Sequence, residues 1–448
     1  MPSNASLPPI LREHEPLSPR RLTGSERPNP QQGRILCVTS NFPRWEGDST
    51  TPFVLRLAQD LCAQGWEVDV LAPHAAGAAR REILGEVAVH RFRYAWPERS
   101  QTICYGGGAL INLRRNKWNY LKLPALVLSE TAAVMRQLLS NRYDVLHAHW
   151  IVPQGFTCAV AKVFRNIPLI VTAHGSDVFS LKGRFVDPFR RLALRQATAV
   201  TVNSRATESA VKDLYPGVTN LLRIPSPPAE GEPDDTIVAA LRRRVCPSGG
   251  PLLLYVGRIV AEKGVGELIE SMPQIIQRHP NARLILVGEG QERDDFQRLT
   301  QRCGVVDFVH FDGWVDPTQI PSYLHAADVF IGPSWTEGMG LTFVEAMSAG
   351  TPVVATTVGG LADIIRDGET AVAVPTKNPA AIAAAVSRLV SSPSDARQFA
   401  LAAKDLVSRG YSRQSIASTF SKLFLDAVSA TDKSQRYRTR LVPDRNLA

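Results

Sequence analysis

Two carboxylates and a glycine-rich turn stand out in residues 334–345, S-W-T-E-G-M-G-L-T-F-V-E. The apolar run that ends at Pro333 predicts a buried strand, and the helical spacing that begins at Leu341 predicts a helix closed by a glycine. Backbone N–H groups in a strand-to-helix turn can bind an anion at the helix N-terminus. Because Glu337 and Glu345 flank this turn, the stretch favours a ligand with both phosphate and hydroxyl groups, such as a nucleotide sugar.

Two cations lie on another strand-to-helix loop, G-R-I-V-A-E-K-G at residues 257–264. The guanidinium of Arg258 and the ammonium of Lys263 could together hold a diphosphate, the first as a planar fork and the second as a point charge. Taken alone, they could equally be solvated surface cations. The glycine-rich turn in the same half of the chain favours the diphosphate interpretation.

A histidine follows the apolar run P-L-I-V-T-A, in the sequence H-G-S-D at residues 174–177. At the end of a strand, His174 could donate to a sugar hydroxyl or a phosphate oxygen, or it could be a structural histidine. Asp177 could orient a ligand or cap the next helix. His147 and His149 share a strand face and could suggest a metal, but no third ligand is evident. We therefore interpret that pair as strand-end packing and expect no metal.

Strands alternate with helices in two series, which run from residue 34 to residue 203 and from residue 251 to residue 375. This alternation predicts parallel sheets covered on both faces. A Pro-rich acidic stretch that starts at residue 225 separates the two series and is typical of a linker. Parallel sheets bind ligands outside the carboxyl ends of their strands, so the polar residues there should face one another across a cleft.

The formal net charge of +9 is unevenly distributed. Residues 33–224 hold 24 Lys and Arg against 14 Asp and Glu, whereas residues 234–410 hold 16 against 20. Such asymmetry indicates an anionic partner for the first half. No recognised nucleic-acid-binding motif is present, so we expect no nucleic acid and favour an anionic membrane surface or a phosphate-bearing acceptor. Residues 111–124 and 182–195 combine cations with aromatic or apolar side chains, as lipid-facing or simply solvated basic surfaces do.

Six scattered cysteines without a C-x-x-C pair argue for reduced thiols in a cytoplasmic protein. No apolar run reaches the ~18 residues of a membrane span. Residues 1–32 lack an apolar signal-peptide core and are expected to be a disordered leader. Residues 431–448 are expected to be a disordered basic tail.

The motifs S-W-T-E-G-M-G-L-T-F-V-E, G-R-I-V-A-E-K-G and H-G-S-D resemble those of the retaining family-4 glycosyltransferases. So do E-A-M-S-A-G-T-P-V-V-A and V-G-G-L-A-D-I-I, and the resemblance extends over most of residues 33–428. The resemblance implies an α/β GT-B fold, in which two Rossmann-like doubly wound domains face each other across a cleft. It implies an acceptor-binding domain at 33–224, a linker at 225–233 and a nucleotide-sugar-binding domain at 234–410. A helix at 411–430 would cross back to the first domain.

The resemblance also implies a role for each motif position. Arg258 and Lys263 would hold the donor diphosphate, Glu337 would contact the transferred sugar, and His174 would contact the sugar or β-phosphate. Glu345 would accept hydrogen bonds from the ribose. Further donor contacts are implied for Gly257, Gly288, Gly290, Gly338, Met339, Gly340, Leu341 and Thr342.

The loop after the first strand departs from the family pattern. F-P-R-W-E-G-D-S-T-T-P stands where many relatives have paired glycines, so Asn41, Gly47 and Asp48, together with Asp177, are the candidate loop and acceptor residues. The linker I-P-S-P-P also lacks the common N-G after I-P.

The expected function is transfer of a sugar from a UDP- or GDP-hexose to a lipid-linked or saccharide acceptor in polysaccharide or cell-envelope synthesis. No cofactor is expected, and the enzyme would act at the inner face of the plasma membrane. Two alternatives stay open: a GT-B nucleotide-sugar epimerase and a non-catalytic nucleotide-sugar-binding module.

Overall fold

A computed structural model of the chain describes residues 31–48, 50–181 and 183–441. Its first sheet has eight strands in the order β3-β4-β2-β1-β5-β6-β7-β8. All pairings are parallel except that of β3 with β4. The strands are β1 (Gly33–Val38), β2 (Trp66–Pro73), β3 (Arg81–Leu84), β4 (Val87–Phe92), β5 (Val145–His149), β6 (Leu169–Ala173), β7 (Ala199–Val202) and β8 (Leu221–Arg223).

The second sheet has six parallel strands in the order β11-β10-β9-β12-β13-β14. The strands are β9 (Leu252–Val256), β10 (Arg283–Val287), β11 (Val309–Gly313), β12 (Val329–Gly332), β13 (Val353–Ala355) and β14 (Val372–Ala373). All six lie within the second predicted series, residues 251–375. Val306–Phe308 form a 3-10 turn before β11.

Helices cover both sheets. Those around the first sheet are α1 (Pro52–Ala63), α2 (Ala109–Arg115), α3 (Leu123–Ser140), α4 (Phe156–Ala161), α5 (Ser176–Phe179), α6 (Asp187–Gln196) and α7 (Arg205–Leu214). The second series comprises α8 (Asp235–Val245), α9 (Val265–Arg278), α10 (Arg293–Arg302), α11 (Ile320–Ala326), α12 (Leu341–Ala349), α13 (Pro379–Ser391), α14 (Pro393–Gly410) and α15 (Arg413–Leu441).

Strand β1 shows why the strands are apolar throughout. Ile35 and Cys37 pack in one buried cluster, while Leu36 and Val38 belong to another on the opposite face of the sheet. Because successive side chains of a strand point to opposite faces, a strand covered on both sides needs an apolar residue at nearly every position. The doubly wound α/β architecture expected from the sequence is confirmed.

The C-terminal helix α15 crosses back onto the first sheet. The indole Nε1 of Trp66 donates to Ser421 Oγ at 2.8 Å, and Arg413 pairs with Asp60 of α1 at 2.6 Å. The prediction of a returning helix is therefore confirmed. The helix continues to Leu441, so it extends beyond residue 430, where the returning helix was predicted to end, and into the predicted tail.

The predicted leader and tail lie mostly or partly outside the described residues. The structure does not describe residues 1–30 of the leader or residues 442–448 of the tail. Strand β8 ends at Arg223 and helix α8 begins at Asp235, with no helix or strand between them. The exact linker and domain bounds stay predictions.

Candidate active site

A cleft of about 430 Å³ lies where the carboxyl ends of the two sheets face each other. The first domain lines it with residues that include Phe53 of α1 and His174 and Gly175 after β6. The second domain lines it with Arg258 and Lys263 after β9 and with the turn between β12 and α12. The four predicted catalytic residues, His174, Arg258, Lys263 and Glu337, therefore meet at one cavity.

The turn before α12 touches the first domain directly. Cβ atoms placed on Gly175 and Gly338 would lie 3.4 Å from the Gly338 Cα and 3.1 Å from the His174 carbonyl oxygen, respectively. Gly340 caps α12 with φ 80°, a left-handed conformation that glycine adopts without strain. The glycines thus let two backbones approach closely and bring the N-terminus of α12 to the cleft.

Gly359 and Gly360 support this turn from behind. Added Cβ atoms would lie 1.9 Å from the Glu337 carbonyl oxygen and 2.1 Å from the Gly338 carbonyl oxygen. The Gly360 N–H also donates to the Glu337 carbonyl at 3.1 Å. The motif V-G-G-L-A-D-I-I contributed to the family resemblance, but no function was predicted for these glycines. A glycine pair after an apolar strand could have predicted a close backbone contact.

Lys263 and Glu337 form an ion pair. The Lys263 Nζ lies 2.5 Å from Glu337 Oε2, and the Ser334 hydroxyl donates to the same oxygen at 3.3 Å. Both side chains are largely buried, with 17% and 15% of their surfaces exposed. Burial, and then the charge of Glu337, raise the pKa of Tyr255 below them. The sequence predicted separate partners for Lys263 and Glu337, and here they neutralise each other.

Arg258 is more open to solvent than Lys263. Its guanidinium pairs with Glu262 at 2.6 Å, and about half of its side chain is exposed. The hydroxyl of Tyr255 donates to the Arg258 carbonyl oxygen at 2.8 Å and so holds the loop. The head of Arg258 is therefore held by an exposed ion pair, which is weak in water, so a ligand phosphate could replace Glu262 while the Arg258 backbone stays in place.

Gly288 and Gly290 lie behind the Arg258 loop. Cβ atoms on them would come within 1.9 Å of the Gly257 carbonyl oxygen and 2.0 Å of the Ile259 carbonyl oxygen. In the described part of the chain they are not among the residues that line the cleft, whereas Gly257 is. Gly288 and Gly290 thus allow close packing of two loops, and the donor contact predicted for them stays a prediction.

His174 lies among aromatic rings at the first-domain wall. Its Nε2 is 3.0 Å from His149 Nδ1, and its ring centroid is 4.7 Å from that of Trp150 and 5.1 Å from that of Phe53. Burial among these rings lowers the pKa of His174 to about 3. The imidazole is therefore neutral at physiological pH and acts as a hydrogen-bonding group.

Asp177 holds the backbone that carries His174. Its Oδ1 accepts from the N–H groups of His174 at 3.2 Å and Gly175 at 3.0 Å, and its Oδ2 accepts from Ile151 at 2.9 Å. Burial raises the pKa of Asp177, although these bonds oppose the shift. Asp177 therefore positions the backbone of this loop, which differs from both ligand orientation and helix capping, the two interpretations left open by the sequence.

Glu345 is engaged by the linker. Its Oε1 accepts from the Ala229 N–H at 2.7 Å and lies 3.8 Å from Arg56 Nη1. Arg56 in turn donates to the Pro227 carbonyl at 3.2 Å, so α1, the linker and α12 are tied together. Burial raises the pKa of Glu345. Glu345 is not among the cleft-lining residues described, and the ribose contact predicted for this carboxylate stays a prediction.

The remaining donor candidates, Met339, Leu341 and Thr342, also line the cleft. Leu341 and Thr342 line the cleft at the first turn of α12. Met339 is buried, with its sulfur 3.2 Å from the Ser226 N–H of the linker. Its side chain therefore joins the turn to the interdomain segment.

The loop after β1 is internally bonded. Asp48 pairs with Arg44 at 2.7 Å, and although burial opposes the shift, these bonds lower the pKa of Asp48. Gly47 has φ 83° in an exposed turn. Asn41 donates to the Cys104 carbonyl at 3.4 Å, and its buried Oδ1 has no hydrogen-bond partner among the described residues. None of the three is among the cleft-lining residues described, and their acceptor role stays a prediction.

Comparison with known proteins gives two adjoining family matches. Residues 241–406 match the model of glycosyl transferases group 1, and residues 50–227 match that of the glycosyl transferase 4-like domain. The glycogen synthase of Mycobacterium tuberculosis H37Rv is 30% identical over 298 residues, which are 64% of this chain and 70% of that protein. The putative teichuronic acid biosynthesis glycosyltransferase TuaC of Bacillus subtilis is 33% identical over 250 residues, covering 55% and 61% of the respective chains.

Solved structures with the same fold are more distant in sequence. Sucrose-phosphate synthase from Thermosynechococcus elongatus superposes with a TM-score of 0.73 at 24% identity, over 89% of this chain and 100% of that one. HepE of Anabaena in complex with UDP-glucose gives 0.66 at 17% identity, over 89% and 100%. At these identities the likeness concerns the fold.

Proposed function

Because the chain belongs to the GT-B glycosyltransferases, with group 1 and 4-like domains, we propose that it is a retaining, metal-independent hexosyltransferase. Its donor would be a UDP- or GDP-hexose and its acceptor a lipid-linked or saccharide group. The observation that carries the proposal is the convergence of Arg258, Lys263, Glu337 and His174 on one interdomain cleft.

The second domain supplies the charge that a donor diphosphate needs. Arg258 and Lys263 lie on the wall beside the N-terminus of α12, where backbone N–H groups and the helix dipole also favour an anion. When the diphosphate binds, Lys263 would exchange Glu337 for phosphate oxygens. Fixed cations would then stabilise the departing nucleotide, which is the electrostatic task that a metal ion performs in other transferases.

Release from Lys263 would leave Glu337 free to accept hydrogen bonds from the hydroxyls of the transferred sugar. The neighbouring amides of Gly338, Gly340 and Leu341 would hold the same group from the turn. His174 would contact the sugar or the β-phosphate from the opposite wall, since the two walls touch at Gly175 and Gly338. The donor would thus be held between both domains.

The properties of His174 and Glu337 support a front-face, retaining route. An inverting enzyme needs a general base beside the acceptor, and His174, with a pKa of about 3, is a weak one. Glu337 would be occupied by the hydroxyls of the transferred sugar. A departing diphosphate oxygen that itself accepts the acceptor proton fits these residues better.

Relatives favour a role in polymer or envelope synthesis. TuaC is named for teichuronic acid biosynthesis, and HepE was solved with UDP-glucose. These names support a UDP-hexose donor and a saccharide acceptor for this chain without fixing either.

A membrane surface is a further proposed partner. Trp118, Tyr120 and Leu121 are exposed near Arg114 and Arg115 in the basic first domain. Cations beside exposed aromatic side chains are suited to anionic headgroups. The proposed association is peripheral. No helix of the described residues is both long and apolar enough to cross a membrane.

Incubating the protein with UDP-glucose, GDP-mannose and related donors tests the proposal. Slow release of nucleotide diphosphate, accelerated by the right acceptor and with the anomeric configuration kept, is expected. A changed sugar without nucleotide release would instead identify an epimerase, and binding without either would identify a non-catalytic module. A product with inverted anomeric configuration would contradict the retaining mechanism but not the transferase assignment.

A further inference from the structure

Three buried side chains with metal-binding atoms converge under helix α15. Cys37 of β1 and His147 of β5 are direct partners in the register of the first sheet, and His149 lies two residues further on the same strand. One potential ligand atom from each lies within 4.8 Å of the other two. Cys37 is distant from both histidines in the sequence, so their spacing gave no sign of this third potential ligand.

Each imidazole is held through one nitrogen. The Nε2 of His147 is 2.8 Å from Thr172 Oγ1, and the Nδ1 of His149 is 3.0 Å from His174 Nε2. These contacts leave Nδ1 of His147 and Nε2 of His149 as the second ring nitrogens. Metal-ligating histidines usually have this arrangement, in which one nitrogen binds the ion and a protein partner orients the other.

Coordination would require the Cys37 thiol to lose its proton. Neutral imidazoles and a thiolate are the ligand forms that a Zn²⁺-type ion binds, and a bound cation promotes loss of the thiol proton.

We propose that Cys37, His147 and His149 bind one divalent cation of the Zn²⁺ type. One thiolate and two imidazoles are ligands that Zn²⁺ prefers. Binding forms one metal–sulfur bond and two metal–nitrogen bonds and releases the Cys37 thiol proton to solvent. Three protein ligands leave one position of a tetrahedron open, so we expect reversible binding. The site lies outside the donor-binding residues, and the transfer reaction proposed above draws no metal from it.

A bound ion would affect the cleft through the hydrogen bond between His149 and His174. With Nε2 of His149 on the ion, its remaining proton must sit on Nδ1 and be donated to His174 Nε2. The cleft histidine would then be held in the tautomer that carries its proton on Nδ1. The ion would also be linked to α15, because Phe420 and Phe424 each lie 5.3 Å from the His147 ring.

Titration of the full-length reduced protein with Co²⁺, a spectroscopic substitute for Zn²⁺, tests the proposal. We expect about one ion per chain, with the visible absorption of a four-coordinate site and a thiolate-to-cobalt charge-transfer band in the near ultraviolet. Zn²⁺ should displace it. Cys37→Ser should abolish the charge-transfer band, whereas Cys158→Ser, which removes another buried thiol of the first domain, should keep it.

A second variant separates loss of the site from loss of the fold. His147→Asn should weaken Co²⁺ binding at least tenfold while the far-ultraviolet circular dichroism of the unliganded protein stays native. Zn²⁺ should raise the Tm of the wild type and of Cys158→Ser, but not that of Cys37→Ser. A wild type without the charge-transfer band, or a band that survives in Cys37→Ser, would overturn the proposal. So would binding that shows only the weak absorption of a six-coordinate surface ion.

Discussion

Lys263 Nζ lies 2.5 Å from Glu337 Oε2, which joins the cation expected on the diphosphate to the carboxylate expected on the sugar. The pair keeps both charges compensated in a site that is largely removed from water. A donor that brings its own negative charge can replace Glu337 on Lys263 and leave Glu337 for the sugar. We propose that exchange of Glu337 for a donor phosphate on Lys263 links donor binding to the arrangement of the sugar contacts.

Lys263→Ala should lower kcat about 100- to 1000-fold, the range for loss of one preorganised charge contact in an active site. Arg258→Ala should act in the same direction on nucleotide release. Steady-state kinetics with the best donor provide the measurement. Lys404→Ala, which removes a lysine of α14 outside the cleft-lining residues described, is the control. Near-normal kcat in Lys263→Ala would contradict the diphosphate assignment.

Gly359→Ala should reduce both stability and activity. Its Cβ would lie 1.9 Å from the Glu337 carbonyl oxygen, so the turn that carries Glu337 must shift, and overpacking of this kind costs about 1–3 kcal/mol. Gly368→Ala is a matched control, because Gly368 also has a positive φ, of 71°, but a Cβ there meets no atom within 4 Å. Urea unfolding and kcat should change clearly more for Gly359→Ala. Equal effects would show that backbone strain alone accounts for the loss.

The sequence predicted the fold more completely than the contacts within the site. Short apolar runs were enough to locate most of the strands, since a strand buried on both faces is apolar at consecutive positions. They did not predict β3 and β8, most of whose residues are at least partly exposed. The linker contact of Glu345 with Ala229 and the ion pair of Lys263 with Glu337 join residues far apart in sequence. Such pairings depend on how two domains meet, which no local spacing encodes.

Glu345→Gln should change how stability depends on pH. Burial raises the pKa of Glu345 above its ordinary 4.5, so the folded protein binds this proton more tightly than the unfolded chain does. The contribution of the Glu345 carboxyl to the free energy of unfolding is therefore fully present below pH 4.5. It is lost as the pH rises through the pKa of Glu345 in the folded protein. Compared with the wild type, the variant should lose less unfolding free energy between pH 4.5 and pH 7. Urea titrations at several pH values measure this difference, and parallel curves would contradict it.

Trp118→Ala should weaken sedimentation with anionic vesicles. About 73% of this indole is exposed beside the basic residues of the first domain, so it can enter the headgroup region. Binding should also fall as salt is raised, because ionic screening shortens the reach of the cations. Trp314→Ala, at an exposed tryptophan of the second domain, should leave sedimentation unchanged. Salt-insensitive or absent binding of the wild type would contradict the membrane proposal.

His174→Ala should lower kcat about 100-fold without altering the shape of the pH profile between pH 5 and pH 8. The pKa of His174 is about 3 because its ring is buried against Trp150 and Phe53, so the imidazole stays neutral throughout that range. Its contribution is then that of a fixed hydrogen-bonding group, and His174→Gln should recover part of the loss. His325→Ala, at an exposed histidine of α11, serves as the control. An acid limb near pH 6 that is present in the wild type and absent from His174→Gln would mean that the ring titrates during turnover, which the buried aromatic surroundings of His174 oppose.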